Sequence, residues 1–234
     1  IDRARLVPDL VGAANWLALA MWAAAKIAPG REGFLLDIGS STTDVCAFRD
    51  GRALPRGRAD HERLRTGELI YTGVRRTPLC ALATRVTVGE TPTFIAAELF
   101  ATTLDLYLLA GDVAEDPKDR DTADGRPATI DAGRARLARM LCADAANLGT
   151  DAIARLARAF ADAQLQTIVD GARGVIERAG VRSEVAVISG SGEFLARRAA
   201  ERLGAASILS IAEHLDRGRS EAACAWALIE LASR

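Results

Sequence analysis

Helical spacing of hydrophobic residues dominates the start of the chain. Residues 10–28, LVGAANWLALAMWAAAKIA, are almost entirely apolar and are followed by Pro29-Gly30. Much of this apolar content is alanine, and Asn15 and Lys26 lie inside the segment, which makes it a poor membrane span. The pattern therefore predicts a buried helix that ends at about residue 28.

The spacing becomes strand-like after residue 30. Residues 33–38 and 43–48 are short apolar runs of the kind that form strands. The Asp50-Gly51 pair is typical of a tight hairpin turn, and residues 52–56 would carry the return strand. We therefore expect antiparallel strands, with a polar turn between the first two.

The final third of the chain alternates between strands and helices. Two strands that are joined by a helix predict parallel pairing. Helical patterns also fill the middle of the chain. The predicted helices are 96–110, 130–142, 151–179, 193–203 and 220 to the end, and the predicted late strands are 185–188 and 207–211.

An acidic, turn-rich segment at 111–127 is interpreted as an exposed loop. A solvated loop is the simplest interpretation of its charges. The alternative is a lid or a metal-assisting role, which would be tested first at Asp121, Asp124 and Arg126.

The composition and net charge of the chain bear on which kinds of partner it could bind. The chain has 234 residues, of which half are hydrophobic, and its formal net charge is −1. This balance gives no support for a nucleic-acid or membrane-surface role. The four cysteines are far apart and form no CxxC pair, as expected for reduced thiols in a cytoplasmic protein.

The most informative polar stretch is DIGSSTTD, residues 37–44. A tight turn that is rich in Gly, Ser and Thr exposes backbone N–H groups, which suit phosphate oxygens. Asp37 at the end of the first strand could hold a divalent cation, usually through water. The alternative is an ordinary hairpin whose hydroxyls cap the turn. The predicted phosphate-binding residues of this turn are Gly39, Ser40, Ser41, Thr42 and Thr43.

A second candidate loop follows the predicted strand 185–188. Gly190, Ser191 and Gly192 lie between that strand and a helix. Glycines allow a backbone to approach a ligand closely, and a helix N-terminus favours an anion. We therefore expect this loop to share a cleft with the turn at 37–43.

These two motifs support a family resemblance. DIGSSTTD and ISGSGEFLARR resemble the second phosphate motif and the adenosine motif of the actin, sugar-kinase and Hsp70 type of ATPase. GELIYTGVRRTP, residues 67–78, more specifically resembles the hydantoinase/oxoprolinase-like proteins of tetrahydromethanopterin-linked C1 transfer. The resemblance implies an α/β fold of ribonuclease-H-like type, with a mixed sheet and a helical insertion at about 96–180.

The resemblance also implies a domain organisation. Members of that family begin with another Asp-Gly phosphate loop in a first lobe, and residues 1–234 contain no counterpart of it. We therefore expect residues 1–30 to be a connecting helix from a missing first lobe. Residues 31–234 would form the second lobe, and this piece alone would hold only part of the cleft.

The chemistry that the resemblance implies is a transfer in methanofuran biosynthesis. A furan-methyl diphosphate would condense with tyramine-glutamate, a small amine acceptor, and release pyrophosphate with Mg²⁺ bound at Asp37. Arg75 and Arg76 would neutralise the departing charge. Asp60 or Glu68 would accept a proton.

Two other functions stay open at this point. One is an ATP-dependent hydantoinase or oxoprolinase, in which the same loops would hold ATP. The other is a non-catalytic binding subunit. A homo-oligomer is compatible with all three, and the sequence indicates no particular oligomeric state.

Overall fold

The computed structural model of the protein describes residues 14–88 and 91–233. The chain divides into two compact units, Ile1–Tyr71 with Ile168–Arg234, and Thr72–Thr167. The division falls inside one long helix, after Thr167. Each unit is described separately below.

The first unit contains a mixed sheet. Its order is β3-β2-β1-β7-β8, and β4 also pairs with β2. β1 is antiparallel to β2 and parallel to β7, and β7 is parallel to β8. The strands are β1 Glu32–Ile38, β2 Thr43–Arg49, β3 Arg52–Ala53, β4 Leu69–Ile70, β7 Val185–Ser189 and β8 Ile208–Ser210.

Helices surround this sheet. α1 continues into a π-helical turn at Ala23–Ile27. Thr150–Ala179 (α6) enters this unit only with its last part. The other helices of the unit are α1 Asn15–Trp22, α2 Asp60–Thr66, α7 Glu193–Arg202, α8 Ile211–His214, α9 Arg217–Glu221 and α10 Ala223–Ala232.

The second unit is mainly helical. It contains a two-stranded antiparallel sheet and a short 3-10 helix at Leu79–Ala81. Its elements are β5 Arg85–Val88, β6 Thr91–Phe94, α3 Thr103–Ala110, α4 Ile130–Arg139, α5 Ala145–Leu148 and the first part of α6.

Two helices cover one face of the sheet. α1 packs against α10, and both bury small and large apolar side chains against the strands. Leu35, Phe48 and Val187 belong to this core and are at most 1% exposed. Each such side chain contributes roughly 1.5–3 kcal/mol of burial. Alternate residues of a strand lie on the same face of the sheet, so Asp37 shares a face with Leu35 in β1, and Ser189 shares a face with Val187 in β7. This apolar face therefore becomes polar at one end of the sheet.

Strand register brings those polar ends together. Asp37 of β1 lies opposite Asp44 of β2 and opposite Ser189 of β7. Parallel strands such as β1 and β7 present their carboxyl ends at the same edge of a sheet. The loops after β1 and β7 therefore emerge side by side.

The second unit has a buried charge network that the sequence did not predict. Arg136 is fully buried and contacts Asp105 at 2.7 Å and Asp124 at 3.0 Å. Asp105 is 1% exposed, and its burial raises its pKa, whereas the adjacent guanidinium opposes that rise. This network ties the acidic loop, through Asp124, to the helices of the unit.

The structure confirms the α/β class and the mixed sheet. The hairpin of β1 and β2 and the parallel pair of β7 and β8 are also confirmed. The ribonuclease-H-like assignment and the predicted domain boundaries, 1–30, 31–234 and 96–180, stay predictions.

Several element boundaries differ from the expectation, and the predicted helix from 220 to the end is observed as two helices, Arg217–Glu221 and Ala223–Ala232. The helix predicted from residue 96 begins only at Thr103, because Thr102 and Asp105 form a capping box there. The first helix is described from Asn15, and residues 10–13 of the predicted helix lie outside the described residues. None of the helices in the described part is long and apolar enough to cross a membrane.

Candidate functional site

The two predicted loops adjoin each other in the first unit. The Gly192 N–H donates to the Ile38 carbonyl oxygen at 2.8 Å, which joins the entry of α7 to the end of β1. Gly190 has φ +93°, and a Cβ added there would lie 2.3 Å from the same oxygen. The turn after β1 and the loop after β7 therefore form one continuous edge.

The turn between β1 and β2 offers unused donors. Gly39 N–H closes the turn on the Thr42 carbonyl at 2.9 Å. The amides of Ser40, Ser41 and Thr42 make no hydrogen bond to another described residue, and the two serine hydroxyls lie 3.5 Å apart. Three adjacent amides and two hydroxyls can bind anionic oxygens. We call residues 39–42 the hydroxyl turn.

Thr43 does not share this accessibility. It is fully buried at the first position of β2, opposite Ile38. Thr43 is therefore the one residue of the five predicted phosphate-binding residues in this turn that lies in the core.

The glycines of the second loop serve the protein's own packing. Gly190 donates its N–H to Ser220, and Gly192 donates to Ile38. Both glycine amides are thus used within the chain, and the predicted contact of Gly190 and Gly192 with an anion stays a prediction. Ser191 is exposed at the start of α7. Its predicted contact with an anion stays a prediction.

Asp37 lies where the two loops meet. Its Oδ1 accepts a hydrogen bond from the Ser189 hydroxyl at 2.7 Å, and its Oδ2 lies 3.6 Å from the Cys224 thiol. Burial, with smaller contributions from Asp44 and Glu193, raises the pKa of Asp37 to about 6, although the Ser189 hydrogen bond opposes the rise. Burial and the same carboxylate also raise the pKa of Cys224, so this thiol is not an activated nucleophile.

Asp37 could contribute one carboxylate to a cation whose other ligands are waters or phosphate oxygens. Within the part of the chain that the structure describes, no three His, Cys, Asp or Glu side chains are grouped to hold a metal ion. A carboxylate beside a candidate anion-binding turn suits Mg²⁺, which retains waters and binds phosphate oxygens together with one or two carboxylates.

The same unit contains a pocket of about 250 Å³. Thr42 of the hydroxyl turn and Cys224, which contacts Asp37, are both among its lining residues. We call it the carboxylate pocket, and its other main lining residues are Trp16, Asp44, Asp60, Arg63 and Tyr71.

Arg63 organises one wall of the carboxylate pocket. Its guanidinium carbon lies 3.7 Å from the centre of the Trp16 ring, and its NH2 group binds the Asp44 carboxylate and, at 3.1 Å, the Glu68 carbonyl. The side chain is only 2% exposed. Gly57 lies so close that a Cβ there would be 2.7 Å from the Arg63 amide. This arrangement fixes Arg63 in place.

The two predicted bases have different surroundings. Glu68 is 2% exposed, and its carboxylate accepts hydrogen bonds from the amides of Arg56 and Gly57 and from the Thr66 hydroxyl, each at 2.7 Å. These contacts give Glu68 a structural role in holding the loop before α2. The Asp60 side chain is 55% exposed and lines the carboxylate pocket. Among the described residues, Asp60 forms an ion pair only with Arg63, at 3.5 Å.

Arg75 and Arg76 belong to the second unit. Arg75 binds the carboxylates of Asp119 and Asp121, and Arg76 is 63% exposed with Asp121 at 3.7 Å. The acidic loop is thus tied to arginines rather than simply solvated. The predicted role of Arg75 and Arg76 toward a diphosphate stays a prediction.

Sequence reasoning missed Asp44 and Trp16 as members of a site. Asp44 closes the motif DIGSSTTD, and its place opposite Asp37 follows once the hairpin register is known. Trp16 lies inside the segment 10–28, which the sequence predicts only as a buried helix. Its contact with Arg63 joins residues that are 47 positions apart, and no local pattern indicates it.

The fold and this edge of the sheet define an α/β protein with a candidate anion-binding turn beside a partly buried carboxylate. A family model described as hydantoinase/oxoprolinase matches residues 1–231. The chain therefore belongs to the hydantoinase/oxoprolinase family, and the resemblance noted in the sequence is confirmed at that level.

Two curated relatives carry the same name, (4-{4-[2-(gamma-L-glutamylamino)ethyl]phenoxymethyl}furan-2-yl)methanamine synthase. The protein from Methanococcus vannielii is 32% identical over 169 residues, which are 72% of this chain and 75% of the relative. The protein from Methanocaldococcus jannaschii is 30% identical over 221 residues, which are 94% of this chain. The match spans 64% of that relative's length.

Proposed function

We propose that the protein is a transferase of methanofuran biosynthesis, which joins a furan-methyl diphosphate to tyramine-glutamate and releases pyrophosphate. The observation that carries this proposal is the hydroxyl turn, with its unused amides, beside Asp37 and an open pocket. The names of the two relatives support the proposed substrates, and their description as synthases supports an enzyme.

The name of the two relatives specifies a particular chemical bond in their product. A phenoxymethyl group on a furan is an ether between a phenol oxygen and a furan-bound methylene. The proposed acceptor atom is therefore the phenol oxygen of the tyramine portion, rather than its amine. In this reaction the methylene–oxygen bond to the diphosphate breaks as the new carbon–oxygen bond forms. The phenol loses one proton, and the released pyrophosphate gains one negative charge, so the reaction balances when that proton passes to pyrophosphate or to solvent.

The hydroxyl turn would stabilise the departing diphosphate. The amides of Ser40, Ser41 and Thr42 would donate to its oxygens, and donors that are fixed in place stabilise charge that develops in a transition state. Asp37 would hold Mg²⁺ through water, and the ion would neutralise diphosphate oxygens when bound.

The experiment is an assay of the protein with a furan-methyl diphosphate, tyramine-glutamate and Mg²⁺. The proposal predicts pyrophosphate, the ether product by mass spectrometry, and no requirement for ATP. Asp37→Asn should lower pyrophosphate release about 10- to 100-fold if the carboxylate positions the ion. Asp50→Asn is the matched control, because Asp50 occupies a turn at φ +51°, which asparagine tolerates.

The family description favours a second candidate, an ATP-dependent hydantoinase or oxoprolinase. The assay separates the two, since ADP formed in step with turnover would support the second and reject the first. A protein that bound neither pyrophosphate nor ATP would instead be a non-catalytic binding subunit.

A further inference from the structure

We infer that the carboxylate pocket binds a primary ammonium group through Asp44 and Asp60, and that this contact selects the aminomethyl end of the substrate. The inference rests on the proposed function for the identity of the substrate. The binding of the ammonium group itself is argued from the pocket alone.

The charges of the pocket favour a cation. Among the described residues, Asp44 and Asp60 are the acidic residues that line the pocket, and Arg63 is the cationic one. The guanidinium of Arg63 is directed to Asp44, to Asp60 and to the ring of Trp16. One guanidinium cannot neutralise two carboxylates, so the pocket keeps a formal charge of about −1.

The carboxylate oxygens remain reachable. The Asp60 side chain is 55% exposed and the Asp44 side chain is 19% exposed, whereas that of Arg63 is 2% exposed. A ligand that enters the pocket therefore meets carboxylate oxygens rather than the guanidinium. An ammonium group carries three N–H donors, which can be shared between two carboxylates and a neighbouring oxygen.

The aromatic walls favour an organic cation over a metal ion. Tyr71 and Trp16 both line the pocket; Tyr71 is 72% exposed, and the Trp16 ring contacts the Arg63 guanidinium. Aromatic faces attract ammonium groups. A divalent ion would require more oxygen ligands, and the described residues contain no cluster of three metal-ligating side chains.

The position of the pocket suits one substrate that is held at two ends. Thr42 belongs both to the hydroxyl turn and to the pocket, and Cys224 joins the pocket to Asp37. The product named for the relatives is a methanamine, so it carries a primary amine on the furan. We therefore place the furan's ammonium group in the pocket and its diphosphate at the hydroxyl turn.

The test is direct binding of furan-2-ylmethanamine to the protein at neutral pH, measured by calorimetry, with the neutral furan-2-ylmethanol as the matched probe. The inference predicts that the amine binds at least about tenfold more tightly than the alcohol. Asp60→Asn and Asp44→Asn should each weaken amine binding about tenfold or more and leave the alcohol unchanged. Asp131→Asn is the control variant, since the Asp131 side chain is 95% exposed in the second unit.

Two outcomes would overturn the inference. One is equal binding of the amine and the alcohol. The other is amine binding that is unchanged in both Asp60→Asn and Asp44→Asn. If Asp60→Asn then also lost turnover, Asp60 would return to its predicted role as proton acceptor. Asp60→Asn protein is expected to fold, because the side chain is mostly exposed, and a thermal melt checks this. Amine binding without any pyrophosphate release would support the pocket and reject the proposed function, so the two failures are distinguishable.

Discussion

Replacement of Gly190 by alanine tests whether the loop after β7 must lie against the end of β1. A Cβ at this position would lie 2.3 Å from the Ile38 carbonyl oxygen and 2.9 Å from Asp37 Oδ1. The first of these neighbours is backbone, which cannot move without disturbing the β1 to β7 register. The backbone also has φ +93°, which an alanine adopts only under strain.

The expected cost has two parts. A non-glycine residue at positive φ costs roughly 1–2 kcal/mol, and forcing an extra methyl group into a packed position costs about 1–3 kcal/mol. Gly190→Ala should therefore lower the free energy of unfolding by about 2–5 kcal/mol. The assay is urea denaturation followed by circular dichroism.

Gly204→Ala is the matched control for Gly190→Ala. Gly204 lies in the same unit at φ +72°, and a Cβ there would meet nothing within 4 Å. Gly204→Ala should lower the free energy of unfolding only by the cost of the positive φ, about 1–2 kcal/mol. Equal losses in the two variants would refute the reasoning, since they would mean that the approach to Ile38 contributes nothing.

Three further predictions concern buried charges. Arg136→Met should destabilise the protein by about 3–5 kcal/mol in thermal or urea unfolding, because it leaves Asp105 buried and unpaired, whereas the exposed Arg134→Met should have little effect. Burial raises the folded-state pKa of Asp37 from 3.8 to about 6, so its contribution to stability is complete below pH 3.8 and is lost as the pH rises to about 6. In metal-free buffer, Asp37→Asn should therefore be more stable than the wild type at pH 7, by at most about 3 kcal/mol, and an unchanged pH profile would contradict this. Glu68→Gln should lower the free energy of unfolding by about 1–3 kcal/mol, with turnover per folded molecule preserved, and a turnover loss without a stability loss would restore Glu68 as the proton acceptor.

The sheet could be predicted from the sequence because its signals are local. The apolar runs before and after residues 39–42 require a hairpin, and the strand, helix and strand from residue 185 require a parallel pair. The adjacency of the two loops follows from the same topology. Strand order, however, was not predicted, since the placement of β1 between β2 and β7 depends on contacts about 150 residues apart.

The side chains around the site were harder to predict because their partners are distant in sequence. Glu68 was interpreted as a base from its residue type, but its oxygens are used by the amides of Arg56 and Gly57. Gly190 and Gly192 were interpreted as ligand-facing, and the structure uses them to pack against Ile38. In each case a residue type that suits chemistry also makes a structural contact, and that contact depends on partners that no local sequence pattern indicates.

Binding of pyrophosphate at the hydroxyl turn tests the central claim most directly. Amide resonances of the protein would be followed by NMR during a titration with Mg²⁺ and inorganic pyrophosphate. The claim predicts saturable shifts at Ser40, Ser41 and Thr42, which are lost or strongly reduced in Asp37→Asn and kept in Asp50→Asn. Saturable shifts that are confined to other parts of the chain, or no shifts at all, would contradict it.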